Sequence, residues 1–347
     1  MNAEEAGLNT GPVNLSDTVL GPATDALVQK LGDRCLNRYK EYLLTNFYRR
    51  FVFTGNDSCF FIHGVASDEL AGELIEKTCS SYHSTRCDSL IINADVPQLG
   101  IRFEPAHIHI EELESDPDLQ HFGPTGARGA IVWIPGRSMV EGRSVQIKSA
   151  KSPNYLREFN NHTWDVFHYY PPPSTSADQD EAAIFAKFDA AVGDLKRQGY
   201  RKILLAGHSW GASIALYRAH KLDSIDGVIA TSPGFSRHDP PIKSDTDEGL
   251  YVLLASAKAL SNARLRVAIV MLDGDEFNPH ARLRAVIVGS AFRSSGVPTL
   301  VISPAVTTIT GHDGAEGLDF AIKFATCIRD FLESDSRPAE DVCATSR

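Results

Sequence analysis

The feature that most constrains this chain is a pentapeptide, Gly207-His208-Ser209-Trp210-Gly211, set between two segments of different pattern. Arg201 to Ala206 reads as a buried strand built on Ile203-Leu204-Leu205, and Ala212 to Lys221 carries Ala, Ile, Leu and Tyr on one helical face. A serine between two glycines at a strand-to-helix junction suits a tight, strained turn. The glycines remove side chains that would strike the neighbouring strand and helix. The helix that follows points its amino end at the serine and favours negative charge there.

After Ile101 the same alternation continues to the end of the chain. Strands are expected at 106–111, Ala130 to Ile134, Asp165 to Tyr169, Lys202 to Ala206, Gly227 to Thr231, Leu265 to Leu272 and Pro298 to Ser303. Helical runs lie at 180–198, 211–222, 250–261, 281–294 and 317–332. Apolar runs such as Ile203-Leu204-Leu205 and Val267-Ala268-Ile269-Val270 need cover on both faces. The expected class is therefore α/β, a mostly parallel sheet with helices on both faces. Pro171-Pro172-Pro173 and the polar stretch to Asp180 read as a loop, and no repeat is visible.

Upstream of this lies a different pattern. Residues 1–30, rich in Gly, Pro, Asn and Thr, read as an arm. Leu36, Tyr39, Leu43 and Phe47 suggest a helix from Leu31 to Phe51. A strand at Ser58 to Ile62, a helix from Ser67 to Cys79 and a strand at Ser89 to Asn93 follow. The domain reading is thus an arm at 1–30, a small α+β module at 31–100, a catalytic domain at 101–335 and a tail at 336–347. Cys79 and Cys87 could close a loop between helix and strand, with buried free thiols the alternative. This strand–helix–strand unit resembles a small module of exported bacterial proteins, in which a helix ends in Cys and a second Cys opens the next strand. The module is expected to shape or shield the site.

A serine on such a turn needs a base and an acid, which on this architecture follow it in the order acid, histidine. The strand Leu265 to Leu272 delivers Asp273-Gly274-Asp275-Glu276-Phe277. Asp275 is the chosen acid because it lies past the glycine, where the loop has left the strand; Asp273 stays open as its rival. Thr308 to Gly314 then supplies His312, flanked by glycines just ahead of the closing helix. His280 also follows the acid but lies too close to it. The expected donors to a developing oxyanion are the backbone N–H of Trp210 and that of Arg137, which follows Pro135-Gly136 after the strand Ile131 to Ile134. Phe61-Ile62-His63-Gly64 offers a rival loop, rejected because the interval to Gly207 is twice as long and holds extra strands.

Gly207 to Gly211, Asp275 and Gly311 to Gly314 together resemble the α/β-hydrolase superfamily over about residues 125–335. The resemblance implies acyl transfer to water through Ser209, Asp275 and His312, on an ester-type substrate, with a C–C bond hydrolase or lyase, or a binding scaffold that has lost catalysis, as the alternatives on the same fold. Residues 235–262 stand where a lid is usual; the segment is short and polar, which favours an esterase for a soluble substrate over an interfacial lipase. Trp210 either lines the acyl pocket or packs helix on sheet. Tyr169 and Tyr170 are expected to pack the sheet end. Asp313 is set aside as a partner for its own neighbour.

Other chemistry is excluded or unsupported. The net charge is −10 and the basic residues are scattered, which disfavours nucleic acid. No apolar run approaches the roughly 18 residues a membrane span requires. His107-Ile108-His109 sets two imidazoles on one strand face, with Glu111 beyond, but lacks a convincing third ligand, so no metal and no cofactor are assigned. The expected partner is a small acyl substrate. The acidic start, Met1-Asn2-Ala3-Glu4-Glu5, carries no export pattern, which reads as cytoplasmic, with an exported protein of replaced N-terminus as the alternative.

Overall fold

The computed structural model describes residues 31–45, 48–55, 58–63, 65, 67–82, 87–92, 108–110, 112–140, 143–146, 151–170, 180–234, 246–259 and 264–334. Its centre is an eight-stranded sheet. The strands are β4 (His109–Ile110), β5 (Leu113–Ser115), β6 (Gly129–Ile134), β9 (Trp164–Tyr169), β10 (Ile203–His208), β11 (Gly227–Thr231), β12 (Arg266–Val270) and β13 (Thr299–Ile302). They lie in the order β13-β12-β11-β10-β6-β9-β5-β4. From β9 to β13 the pairing is parallel; β5 and β4 close one edge antiparallel.

Alternate strand residues feed two cores, as a sheet covered on both sides requires. Ala130, Val132, Ile134, Ile203, Leu205, Val228, Ala230, Val267 and Ile269 meet one set of helices. These are α5 (Asp180–Gln198), α6 (Trp210–Ala219), α7 (Thr246–Ala259) and α8 (Ala281–Ser294). Ile131, Trp133, Leu204, Ala206, Ile229, Ala268 and Val270 meet α4 (Asn154–Asn161) and α9 (Leu318–Glu333) on the other face. Each fully buried Val, Leu or Ile contributes about 1.5–3 kcal/mol relative to exposure.

The chain leaves β6 for β9 on one side, then crosses back to place β10 on the other side of β6. Such a reversal opens a crevice at the carboxyl ends of the two strands, and in open α/β sheets ligands bind there. The loops after β6 and β10 are the ones that carry Arg137 and Ser209.

Several elements depart from expectation. The helix begun at Leu31 runs only from Asp33 to Leu43 (α1), and Arg50–Gly55 (β1) is a strand, not its continuation. Arg49 stops the helix by donating from its guanidinium to the carbonyls of Tyr42, Leu43 and Thr45. β1 is the central strand of an antiparallel sheet, flanked by β2 (Ser58–Ile62) and β3 (Asp88–Ile92), with α2 (Asp68–Tyr82) between the latter two in sequence. A hairpin follows Gly136, β7 (Arg137–Val140) with β8 (Arg143–Gln146), and α4 fills a stretch where no helix was expected. Of the strand expected at 106–111, His109–Ile110 forms the short β4, which pairs antiparallel with β5. His107, Glu111, residues 171–179 and residues 235–245 lie outside the described residues.

Cys79 and Cys87 are bonded, and a second disulfide joins Cys35 to Cys59. Cys327 is bridged as well, and no free cysteine occurs among the described residues. Asn161 Nδ2 donates to the Leu43 carbonyl at 3.2 Å, tying the end of α1 to the end of α4. Asn161 lies just before the start of β9, whereas Ser209 follows the carboxyl end of β10, a strand parallel to β9.

Candidate active site

Ser209 follows the last residue of β10 and precedes the first of α6, with φ 53° and ψ −120°. A positive φ in a non-glycine residue costs on the order of 1–3 kcal/mol and persists only where the surroundings enforce it. Three hydrogen bonds do so: Ser209 N–H donates to the Thr231 carbonyl at 2.9 Å, and the Ser209 carbonyl accepts from Ala212 at 3.1 Å and Gly234 at 3.3 Å. The flanking glycines are required by contact. A β-carbon on Gly207 would overlap the Gly211 carbonyl, and one on Gly211 would overlap the Ile134 carbonyl at the end of β6.

The loop after β12 separates the two candidate acids. Asp273 is exposed and contributes only its carbonyl, which accepts from Gly311 N–H at 2.7 Å. Asp275 is buried, its side chain 0% exposed, and its Oδ1 lies 2.8 Å from His312 Nδ1. Oδ1 also accepts from the backbone of Phe277 at 2.9 Å and Asn278 at 3.1 Å, while Oδ2 accepts from Asn278 Nδ2 at 2.9 Å. Burial alone would raise this carboxyl. The hydrogen bond and charge of His312, with the Asn278 and Phe277 donors, outweigh it and hold the group below its ordinary value.

His312 arrives in the loop between β13 and α9. Its carbonyl accepts from Ser232 Oγ at 2.7 Å, and the Phe277 ring lies 4.7 Å from its own. On another side stands His208, the residue before Ser209, with ring centroids 4.7 Å apart. His208 Nε2 lies 3.1 Å from Asp313 Oδ1, so the carboxylate next to His312 faces the other imidazole, and that hydrogen bond lowers the Asp313 carboxyl. Burial raises Glu316, whose Oε1 is 4.0 Å from His208 Nδ1.

The two backbone segments expected to offer N–H groups both converge on the serine. Trp210 opens α6, half-buried against the core of that face, which favours packing for its ring. Arg137 opens β7 directly after Gly136, and a β-carbon on Gly136 would come within 3.2 Å of Ser209 Cβ. The rejected loop at His63 belongs to the small sheet. His109 is exposed on β4, where it pairs across the strands with Glu114 of β5. Tyr169 is buried with its hydroxyl donating to the Ile184 carbonyl.

Sequence reasoning missed Ser232, Asn278 and the His208–Asp313 pair. Asn278 had a signal, since an Asn three residues past a loop Asp commonly closes a turn around it. The pairing of His208 with Asp313 spans 105 positions and had none.

No family model matches the chain, and no curated protein matches it. Solved structures do. An acylaminoacyl peptidase of Pyrococcus horikoshii superposes with a TM-score of 0.50 at 13% identity, over 74% of this chain and 47% of that one. The chain thus spans about half the length of that peptidase. An esterase of Pyrococcus furiosus gives 0.45 at 12% identity, over 68% and 92% of the two chains. A putative dienelactone hydrolase of Klebsiella pneumoniae gives 0.39 at 11% identity, over 60% and 87%. Strand order, the turn at Ser209 and the peptidase likeness agree on one architecture: the chain has the α/β-hydrolase fold.

Proposed function

We propose that the protein is a serine hydrolase that cleaves a carboxylic ester, thioester or lactone through an acyl-enzyme on Ser209. The observation that carries this reading is the 2.8 Å contact between buried Asp275 Oδ1 and His312 Nδ1, beside a serine held at positive φ. A carboxylate on Nδ1 fixes the ring tautomer that leaves Nε2 as the base.

In the proposed reaction Ser209 Oγ attacks the acyl carbon as its proton passes to His312 Nε2. Negative charge gathers on the former carbonyl oxygen, where the N–H groups of Trp210 and Arg137 stabilise it. His312 then gives the proton to the departing alcohol or thiol. Water repeats the sequence on the acyl-enzyme and releases the acid. Asp275 keeps the ring oriented and offsets its charge while it holds the extra proton.

The bridged cysteines favour the exported alternative over a cytoplasmic protein, because disulfides persist in oxidising compartments. The absence of any helix long and apolar enough to cross a membrane, among the described residues, is consistent with a small-molecule substrate reached from water.

A fluorophosphonate probe tests the reading. Wild type is expected to be labelled on Ser209 and Ser209→Ala to be unlabelled; an unreactive wild type overturns it. Short-chain p-nitrophenyl esters are the expected substrates, and a strong preference for long chains would move the assignment towards lipases.

A further inference from the structure

Three side chains beside Ser209 form a constellation that the hydrolytic reading does not use as a unit. One donor atom from each of His208, His312 and Asp313 lies within 4.8 Å of the other two. We propose that this cluster is a binding site for a divalent transition ion of the zinc type, and that occupancy shuts the site down. The proposal rests on the triad reading for its inhibitory half only.

The ligand set suits such an ion. Imidazole nitrogen and carboxylate oxygen are ordinary zinc donors, at about 2.0–2.2 Å from the metal. Tetrahedral geometry then sets ligand–ligand distances of about 3.4 Å. His208 Nε2 and Asp313 Oδ1 already stand 3.1 Å apart. The Asp313 side chain is 79% exposed, so it can swing to complete the set and the ion can enter from solvent beside it.

The hydrogen bonds that would orient the two rings are also in place. A metal-binding imidazole usually donates its other N–H to a carboxylate or similar oxygen, which fixes the tautomer. His312 does so through Nδ1 to Asp275, and a ligand bond from that ring must therefore come from Nε2. His208 is the sharper case. Thr231 Oγ1 donates to the Gly207 carbonyl at 3.1 Å, so towards His208 Nδ1, at 3.3 Å, it acts as an acceptor. With Nδ1 turned to Thr231, Nε2 is the ring atom that faces the Asp313 carboxylate, and a cation that takes the place of the shared proton would be held by both.

The consequence follows from the lone pair. An ion on His312 Nε2 occupies the position that would take the Ser209 proton, so the hydroxyl loses its base. Release of the ion restores it.

The test adds Zn²⁺ to the full chain, with binding read by calorimetry and site accessibility by the rate of fluorophosphonate labelling. About one zinc per chain is expected, slowing labelling by at least about tenfold, with EDTA restoring the rate. Asp313→Ala is expected to weaken zinc binding by at least about tenfold, the lower end of what even an outer partner brings. Its zinc-free labelling should stay within about twofold of wild type. His208→Gln, checked for an unchanged melt, should weaken zinc binding similarly. Zinc bound equally by wild type and both variants, no zinc bound, or zinc bound with labelling unaffected would each overturn the proposal. Failure of labelling in zinc-free wild type would instead sink the hydrolase reading, while calorimetry still reports on the ion.

Discussion

Ser232 Oγ donates to the His312 carbonyl at 2.7 Å, joining the loop after β11 to the loop that carries the imidazole, 80 positions later. Ser232 itself has φ 46°, so the donor is aimed by a strained backbone of its own. Ser232→Ala removes one hydrogen bond worth about 0.5–1.5 kcal/mol. The expected result is a kcat on p-nitrophenyl acetate lower by roughly 2–10-fold, with KM little changed.

The two carboxylates after β12 should separate cleanly. Asp275→Asn leaves the shape but reverses the hydrogen bond that selects the His312 tautomer, and kcat should fall by roughly 10⁴-fold. Asp273→Asn alters an exposed side chain whose backbone makes the contact, and its activity should stay within about twofold. Steady-state rates of the two variants decide it. Equal losses would mean that the carboxylate roles are misassigned.

Acid should weaken the fold through Asp275. Its carboxyl is held below the ordinary 3.8 by partners that exist only in the folded chain. A depressed folded value adds stability that is complete above the unfolded value and disappears as pH falls through the folded one. Urea midpoints followed downward from pH 6 should therefore drop, and Asp275→Asn should flatten part of that fall. A variant with the wild-type slope would show that this carboxyl is not linked to folding.

Gly211 has no room for a methyl group, because its β-carbon position overlaps the Ile134 carbonyl. Gly211→Ala must push α6 off β6 or break the turn, at a cost of more than about 2 kcal/mol. A thermal melt within 2–3 °C of wild type, roughly what 1 kcal/mol moves in a chain of this size, would contradict this packing.

The Cys35–Cys59 bridge closes a separation of 24 residues and Cys79–Cys87 one of 8, each worth about 2–4 kcal/mol in the unfolded chain. Dithiothreitol should therefore loosen the β1–β3 sheet first. Limited proteolysis under reduction is expected to cut between residues 31 and 92 while a fragment covering 108–334 survives. Simultaneous loss of both would mean that they fold as one unit.

How much of this was legible varied with the physics of each segment. α5 and α8 could be read at 180–198 and 281–294 because long amphipathic runs state their own period. β11 was readable because a short apolar run bounded by polar turns has few other uses in such a chain. The end of α1 was not, since Phe47 prolongs the helical spacing past Leu43. What stops the helix is a guanidinium folding back from Arg49, a contact without a local pattern. α4 was hidden because it is only eight residues long and five of them are Asn, Arg or Glu, which read as a loop although seven of the eight are buried. Around Ser209, the motif located the turn and chain order located the loop with His312. The choice of Asp275 over Asp273 needed burial and direction, and the approach of Asp313 to His208 needed the third dimension.

The helix ahead of the bridged sheet meets α4 through Asn161, three residues before β9 begins, whereas Ser209 stands just past the finish of β10. Because β9 and β10 run parallel, the fastening and the strained turn belong to opposite termini of neighbouring strands, so a substitution at Asn161 would loosen the one without reaching the backbone that shapes the other.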